Sequence, residues 1–125
     1  MYIVLAVLIV LHGLAHMVGF AAPFGYLKNP PPMDSLFVNR LAITNSGMRV
    51  LGIFWLMTAF IFVAGAVGVI RRESWWAPVT LVACLLSLAL TFSFLPYAKF
   101  GLLFNVALLA FLYVNRGHSW ISASV

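Results

Sequence analysis

The stretch Tyr2–Ala22, YIVLAVLIVLHGLAHMVGFAA, holds no Lys, Arg, Asp or Glu, and its only basic side chains are those of His12 and His16. An apolar run of about 20 residues is what a helix needs to cross a ~30 Å hydrocarbon core. In lipid every backbone N–H and C=O must be satisfied within the segment, so the run is predicted to be a membrane-spanning helix. It lacks the basic flank of a secretory signal, and its apolar part is too long for one, so it reads as a retained span.

Three further runs share this character: 46–70, 76–95 and 97–115. The expected fold is an all-α integral membrane protein, with four transmembrane helices in an antiparallel bundle and one domain over 1–125. Composition agrees. The chain is 65% hydrophobic and 7% charged, with mean hydropathy +1.12, which leaves too little polar surface for a water-facing domain. Its one cysteine, Cys84, excludes an intrachain disulfide framework or thiolate cluster and reads as a small packing residue. The net charge of +5 comes from cations near the ends of the apolar runs. It fits anionic lipid headgroups, with no nucleic-acid partner implied.

The first connection, 23–45, is the long one, with Pro30-Pro31-Pro32, Lys28, Asp34 and Arg40; its apolar Leu36-Phe37-Val38 is expected to lie along the interface. Trp75, Trp76 and Trp120 read as interfacial belt residues, and His118 as solvated. An even number of spans puts both termini on one side, with Arg71, Arg72 and Arg116, opposite Lys28, Arg40, Arg49 and Lys99. Discounting Arg49 and Lys99 as bundle residues places the termini in the cytoplasm, with a bacterial inner membrane as the expected location.

Depth makes the polar residues informative. Ionisable groups inside a membrane mark functional sites by default. His12 and His16, one turn apart, share a helix face. His12 lies near mid-span, as does Asn105 in the fourth helix, while His16 is about 6 Å nearer the long loop. Thr80, Cys84, Ser87 and Thr91 form an inward stripe on the third helix. Ala64 and Gly68 form a small-xxx-small seam on the second, and Gly101 and Asn105 repeat that spacing on the fourth. This predicts a bundle sealed by small residues on the terminal side and opening into a polar pocket on the long-loop side. The candidate ligand-binding residues are His12, His16, Arg49, Trp55, Lys99 and Asn105.

Each has a plain structural reading beside the functional one. His12 and His16 have the spacing of metal or haem ligands, yet no acid or second cysteine in a span completes a closed site. An interhelical hydrogen-bonded pair is the simpler reading. Arg49 and Lys99 read as snorkelling anchors or, turned inward, as partners for a carboxylate, phosphate or quinone oxygen. Asn105 reads as interhelical glue and Trp55 as packing or pocket wall.

Leu11-His12-Gly13-Leu14-Ala15-His16 followed by Gly19-Phe20, Arg49-Val50-Leu51-Gly52-Ile53-Phe54-Trp55, and Ala98-Lys99-Phe100-Gly101 with Asn105 together resemble a family of small bacterial four-helix membrane proteins, some labelled permease-like. The layout is also distantly similar to that of DoxX-like membrane proteins. The resemblance implies that these three segments belong together and assigns them no chemistry.

The first functional expectation is a small non-catalytic membrane subunit that binds lipid, a pigment, a partner membrane protein or a second copy of itself. The alternative is a redox or isomerase-type enzyme, or a cofactor-binding protein, using His12 and His16 on a quinone-like ligand. An oligomeric transporter is the third. The direction of the histidines discriminates: inward with Asn105 favours a pocket, outward favours a partner interface.

Overall fold

A computed structural model describes residues 1–118, with side chains to Arg116. Trp120, and the side chain of His118, lie outside the described residues. The helices are α1 (Tyr2–Ala15), α2 (Met17–Ala21), α3 (Asn45–Arg71), α4 (Trp76–Ser93) and α5 (Lys99–His118). The α1–α2 pair, α3, α4 and α5 are each long and apolar enough to cross a membrane. The protein is thus a four-span helical bundle of the integral membrane class, as the apolar runs predicted.

The first span contains a joint that its sequence pattern does not show. The His16 ring Nδ1 lies 2.9 Å from the His12 carbonyl, the oxygen that an α-helix offers to the His16 amide. That amide turns to Gly13 O instead, at 3.1 Å. The helix therefore tightens for one residue, separating α1 from α2.

Span α3 is the spine, packing against α1 and α2 on one side and α4 on the other, while α5 packs on α4. It starts at Thr44, whose Oγ1 accepts the Gly47 amide at 3.1 Å, an N-cap worth ~1 kcal/mol. It ends at Arg72, in the left-handed region at φ 55, with the Glu73 amide returning to Gly68 O at 3.0 Å. The Arg72 guanidinium lies 4.4 Å from the centre of the Tyr2 ring, tying the start of α1 to the end of α3.

Backbones close where α3 has no side chain. A Cβ at Gly65 would meet Thr80 Oγ1 at 2.5 Å, and one at Gly68 would meet Trp76 Cβ at 2.8 Å. The seam against α4 is thus Gly65 with Gly68, and the expected Ala64 is exposed. One residue, 100° around the helix, separates the two assignments. Trp76 is likewise core, 3% exposed, while Trp75 is 40% exposed.

Two apolar clusters fill the bundle. One, around Ile9, Phe62, Val69, Trp76 and Cys84, lies toward the termini. The other, around Met48, Trp55, Leu90 and Phe94, lies toward the long loop. That loop carries a small antiparallel hairpin, β1 (Ser35–Leu36) and β2 (Leu41–Ala42), pairing Ser35 with Ala42 and Leu36 with Leu41. Leu36-Phe37-Val38, the run expected along the interface, is folded into a hairpin and its turn. Leu36 packs on the loop-side cluster, and Phe37 and Val38 stand exposed. The Phe37 amide donates to Ser93 O at 2.8 Å, fastening the loop to the end of α4.

Candidate functional site

The histidines face inward at the level between the two clusters. His12 is 7% and His16 1% exposed. Beside them the stripe on α4 divides by what its hydroxyls do. Thr80 and Thr91 each donate to the carbonyl four residues back, Thr80 to Trp76 O and Thr91 to Ser87 O, both at 2.7 Å. Ser87 alone turns its hydroxyl to other helices. Its Oγ lies 2.7 Å from His16 Nε2, 2.6 Å from Asn105 Nδ2 and 3.4 Å from His12 Nε2. Asn105 Oδ1 is 3.0 Å from His12 Nε2. The close approach of α4 and α5 that permits this occurs at Gly101, where a Cβ would stand 3.0 Å from Thr91 Cγ2.

Proton counting assigns every donor. Asp34 and Glu73, the acids of the chain, lie in loops, so no carboxylate in a span offsets an imidazolium, and both rings are neutral. A carbonyl only accepts, so His16 Nδ1 carries the proton donated to His12 O. His16 Nε2 is then bare and accepts the Ser87 hydroxyl. With its one proton committed, Ser87 Oγ accepts from Asn105 Nδ2, which fixes the amide orientation. Asn105 Oδ1 accepts from His12 Nε2–H. The reverse amide orientation would ask Ser87 for two protons. The four side chains form one directed chain, His12 to Asn105 to Ser87 to His16, returning to the His12 carbonyl. The His12 tautomer that results leaves Nδ1 as a lone pair, with no hydrogen-bond partner among the described residues.

Rings enclose this network. Phe104 stacks on His12 at 4.3 Å and 20°, Phe62 meets it edge-on at 4.9 Å, and Trp55 lies 4.9 Å from His16. Trp55 seats its ring against Gly19, in the space a Cβ would take. Its Nε1 is the one fully buried side-chain N or O without a partner among the described residues.

Over the network lies a cleft of about 410 Å³ between the first span and α5, reached by His12, His16, Trp55, Phe94, Gly101 and Phe104. Pro31 and Met33 of the long loop close its end, and exposed Val18 and Phe100 flank it on the side. Its lining is mostly apolar, with His12, His16, Thr91 and Tyr97 among the few polar members, in place of the polar pocket expected. Nor is the terminal side sealed along this edge. A second apolar cleft of about 380 Å³ runs between Val4, Leu8, Ala107 and Phe111, sharing the Phe104 wall.

The structure thus joins His12, His16, Trp55 and Asn105 and leaves out two of the expected residues. Arg49 is exposed, 5.9 Å from the Phe24 ring centre, and Lys99 is exposed, 5.3 Å from that of Phe100. Neither lines the cleft. The first turn of a span lies at headgroup depth, where a long cationic side chain reaches water more cheaply than an apolar interior. With both facing outward, the discount that placed the termini in the cytoplasm no longer applies. For a metal, no group of three His, Cys, Asp or Glu exists among the described residues, and both nitrogens of His16 are already engaged.

Fold and site together define a helical membrane protein with an apolar side cleft over a neutral His–Asn–Ser–His network. Compared with protein-family models, curated proteins and solved structures, the chain matches none.

Proposed function

We propose that this protein binds a membrane-dissolved amphiphile in the cleft between the first span and α5, with the head of the ligand on the histidine floor and its hydrocarbon part among the aromatic walls. The observation that carries this reading is the cleft itself, about 410 Å³, with aromatic walls of Trp55, Phe94, Phe100 and Phe104 and with both histidines among its lining residues. The volume falls in the range of small-molecule sites, roughly 300–1,000 Å³. The inward histidines favour a pocket over a partner interface. The activity proposed is binding, without catalysis.

A quinone-like ligand, an apolar ring bearing a carbonyl oxygen, belongs to the same reading, since the cleft walls are aromatic. Polarisation of that oxygen by Arg49 or Lys99 does not, because both lie outside the cleft.

The test is mass spectrometry of lipophiles that co-purify with the protein in native nanodiscs, wild type against Ala98→Phe. Ala98 lines the cleft and takes no part in the hydrogen-bonded network, so the bulky ring fills the space and spares the floor. A stoichiometric amphiphile lost in the variant is the expected result. Identical lipid profiles would refute the reading.

A further inference from the structure

The loop-side cleft at the histidines and the terminal-side cleft meet at one residue. Phe104 lines both, and its ring is stacked on His12 at 4.3 Å. The same two helix faces continue through that point. On the first span Val4, Leu5 and Leu8 lead to His12, Ala15 and Gly19. On α5, Phe111, Leu108 and Ala107 lead through Phe104 to Gly101. Steps of three and four residues keep each set on one side of its helix. From Val4 to Gly19 the groove runs about 22 Å at 1.5 Å of rise per residue, most of the hydrocarbon depth.

The two halves differ in chemistry. The loop-side half is mostly apolar but includes His12, His16, Thr91 and Tyr97. The terminal-side half, about 380 Å³, is lined by Met, Val, Leu, Phe and Ala side chains alone. A polar head placed there would meet no hydrogen-bonding side chain, whereas a hydrocarbon tail carries no such cost. Neither half is lined by Lys, Arg, Asp or Glu, so a charged head would enter without a counter-charge. The exits set the direction of the tail. Pro31 and Met33 close the loop end, so a chain that outgrows the loop-side half leaves sideways between Val18 and Phe100 or runs on past Phe104. Only the second path keeps it against protein walls. A helix of another protein is a poorer occupant, because helices in lipid approach one another through small residues, and the terminal-side walls are large except at Ala107.

We infer that the two clefts form one site for a long-chain amphiphile with an uncharged head, the head in the loop-side half and the tail laid across Phe104 into the terminal-side half. This rests on the cleft-binding reading above and adds to it the type of ligand, its direction and a second half of the site. Lipid hydrocarbon is as apolar as the walls, so the tail gains packing alone. The mark of the tail site is therefore where the tail lies, not a large rise in affinity.

The experiment uses the full chain in nanodiscs with two photoreactive probes, 1-hexadecanol carrying a diazirine either next to the hydroxyl carbon or at the far end of the chain. Adducts are mapped by peptide mass spectrometry after illumination. The head-end diazirine is expected to label Ala15, Gly19, Tyr97 or Phe100 over exposed Ile53 and Phe54 of α3. The tail-end diazirine is expected to label Val4, Leu8, Ala107 or Phe111 over exposed Val67 and Leu81. Each enrichment is expected to be at least about fivefold, which corresponds to about 1 kcal/mol of preference for the site over lipid. Ala107→Phe fills the terminal-side half from an exposed position and is expected to cut the tail-end adducts by a similar factor while sparing the head-end ones. The wild-type maps need no variant, so they stand if Ala107→Phe fails to fold. Head-end adducts in the loop-side half with tail-end adducts spread evenly over lipid-facing residues would overturn the tail assignment and leave the cleft reading intact; an ordinary acyl chain or a partner helix in the terminal-side half gives that result. Even labelling by both probes, unchanged in Ala98→Phe, would overturn both.

Discussion

Replacing Ser87 by alanine tests the network at its hub. The hydroxyl makes two short hydrogen bonds, at 2.7 Å to His16 and 2.6 Å from Asn105, and a long one at 3.4 Å to His12. Alanine keeps the methylene and removes only the oxygen, so packing changes little and the loss is polar. The His16 Nε2 lone pair and one Asn105 N–H are left without partners in a site 0–1% exposed. Interhelical hydrogen bonds in membranes average about 0.6 kcal/mol and reach about 1.7, while an orphaned buried group costs about 1–3 kcal/mol. Two short bonds lost together therefore give about 2 kcal/mol, a ~30-fold shift in the unfolding equilibrium. The assay is reversible SDS unfolding in mixed micelles, with Ser93→Ala as the control. Ser93 donates to Ala89 O of its own helix at 2.7 Å and joins no other span, so its removal is expected to stay within about 0.5 kcal/mol. A double-mutant cycle with Asn105→Ala should show coupling of about 0.6–1.7 kcal/mol. A Ser87→Ala protein as stable as Ser93→Ala, with no coupling to Asn105, would refute the directed chain of hydrogen bonds.

Three other outcomes follow from the packing and the placement of charge. Gly68→Leu drives a side chain into Trp75 and Trp76 across a gap already at 2.8 Å and should cost at least about 1–3 kcal/mol, whereas Ala64→Leu, on the exposed face, should change thermal stability in detergent little. Gly19→Leu should expel the Trp55 ring from its seat, read as a red shift and quenching of the indole emission that Trp55→Phe removes; unchanged emission would count against the contact. Arg49→Gln with Lys99→Gln should leave probe binding in the cleft unchanged while weakening association with anionic vesicles by up to about 1 kcal/mol per charge, and a loss of cleft binding would show that these cations reach the ligand.

The four spans, the depth of the histidine pair and the shared level of His12 and Asn105 were legible in the sequence, because each follows from hydropathy and from 1.5 Å of rise per residue. The backbone has no alternative in lipid, so length and apolarity settle the helices without help from packing. The rotation of each helix about its axis was not legible. In a soluble bundle the apolar face marks the core, but here lipid and core are both apolar, and a side chain such as Ala64 carries no label saying which it meets. That ambiguity misassigned the α3 seam by one residue and Trp76 to the belt. It also hid Ser87, which in sequence is one of four similar residues on a stripe and in space is the only one whose hydroxyl leaves its own helix. The cleft needed more still. It exists because α3 and α4 form the closely packed centre while the first span and α5 meet only loosely, and which pair of helices is left apart depends on all four at once. The sequence by itself determined that two histidines would lie at membrane depth, one turn apart on one face of a helix. Only the tertiary structure decided that Asn105 and Ser87 would reach them from two other helices and fix their hydrogen bonds.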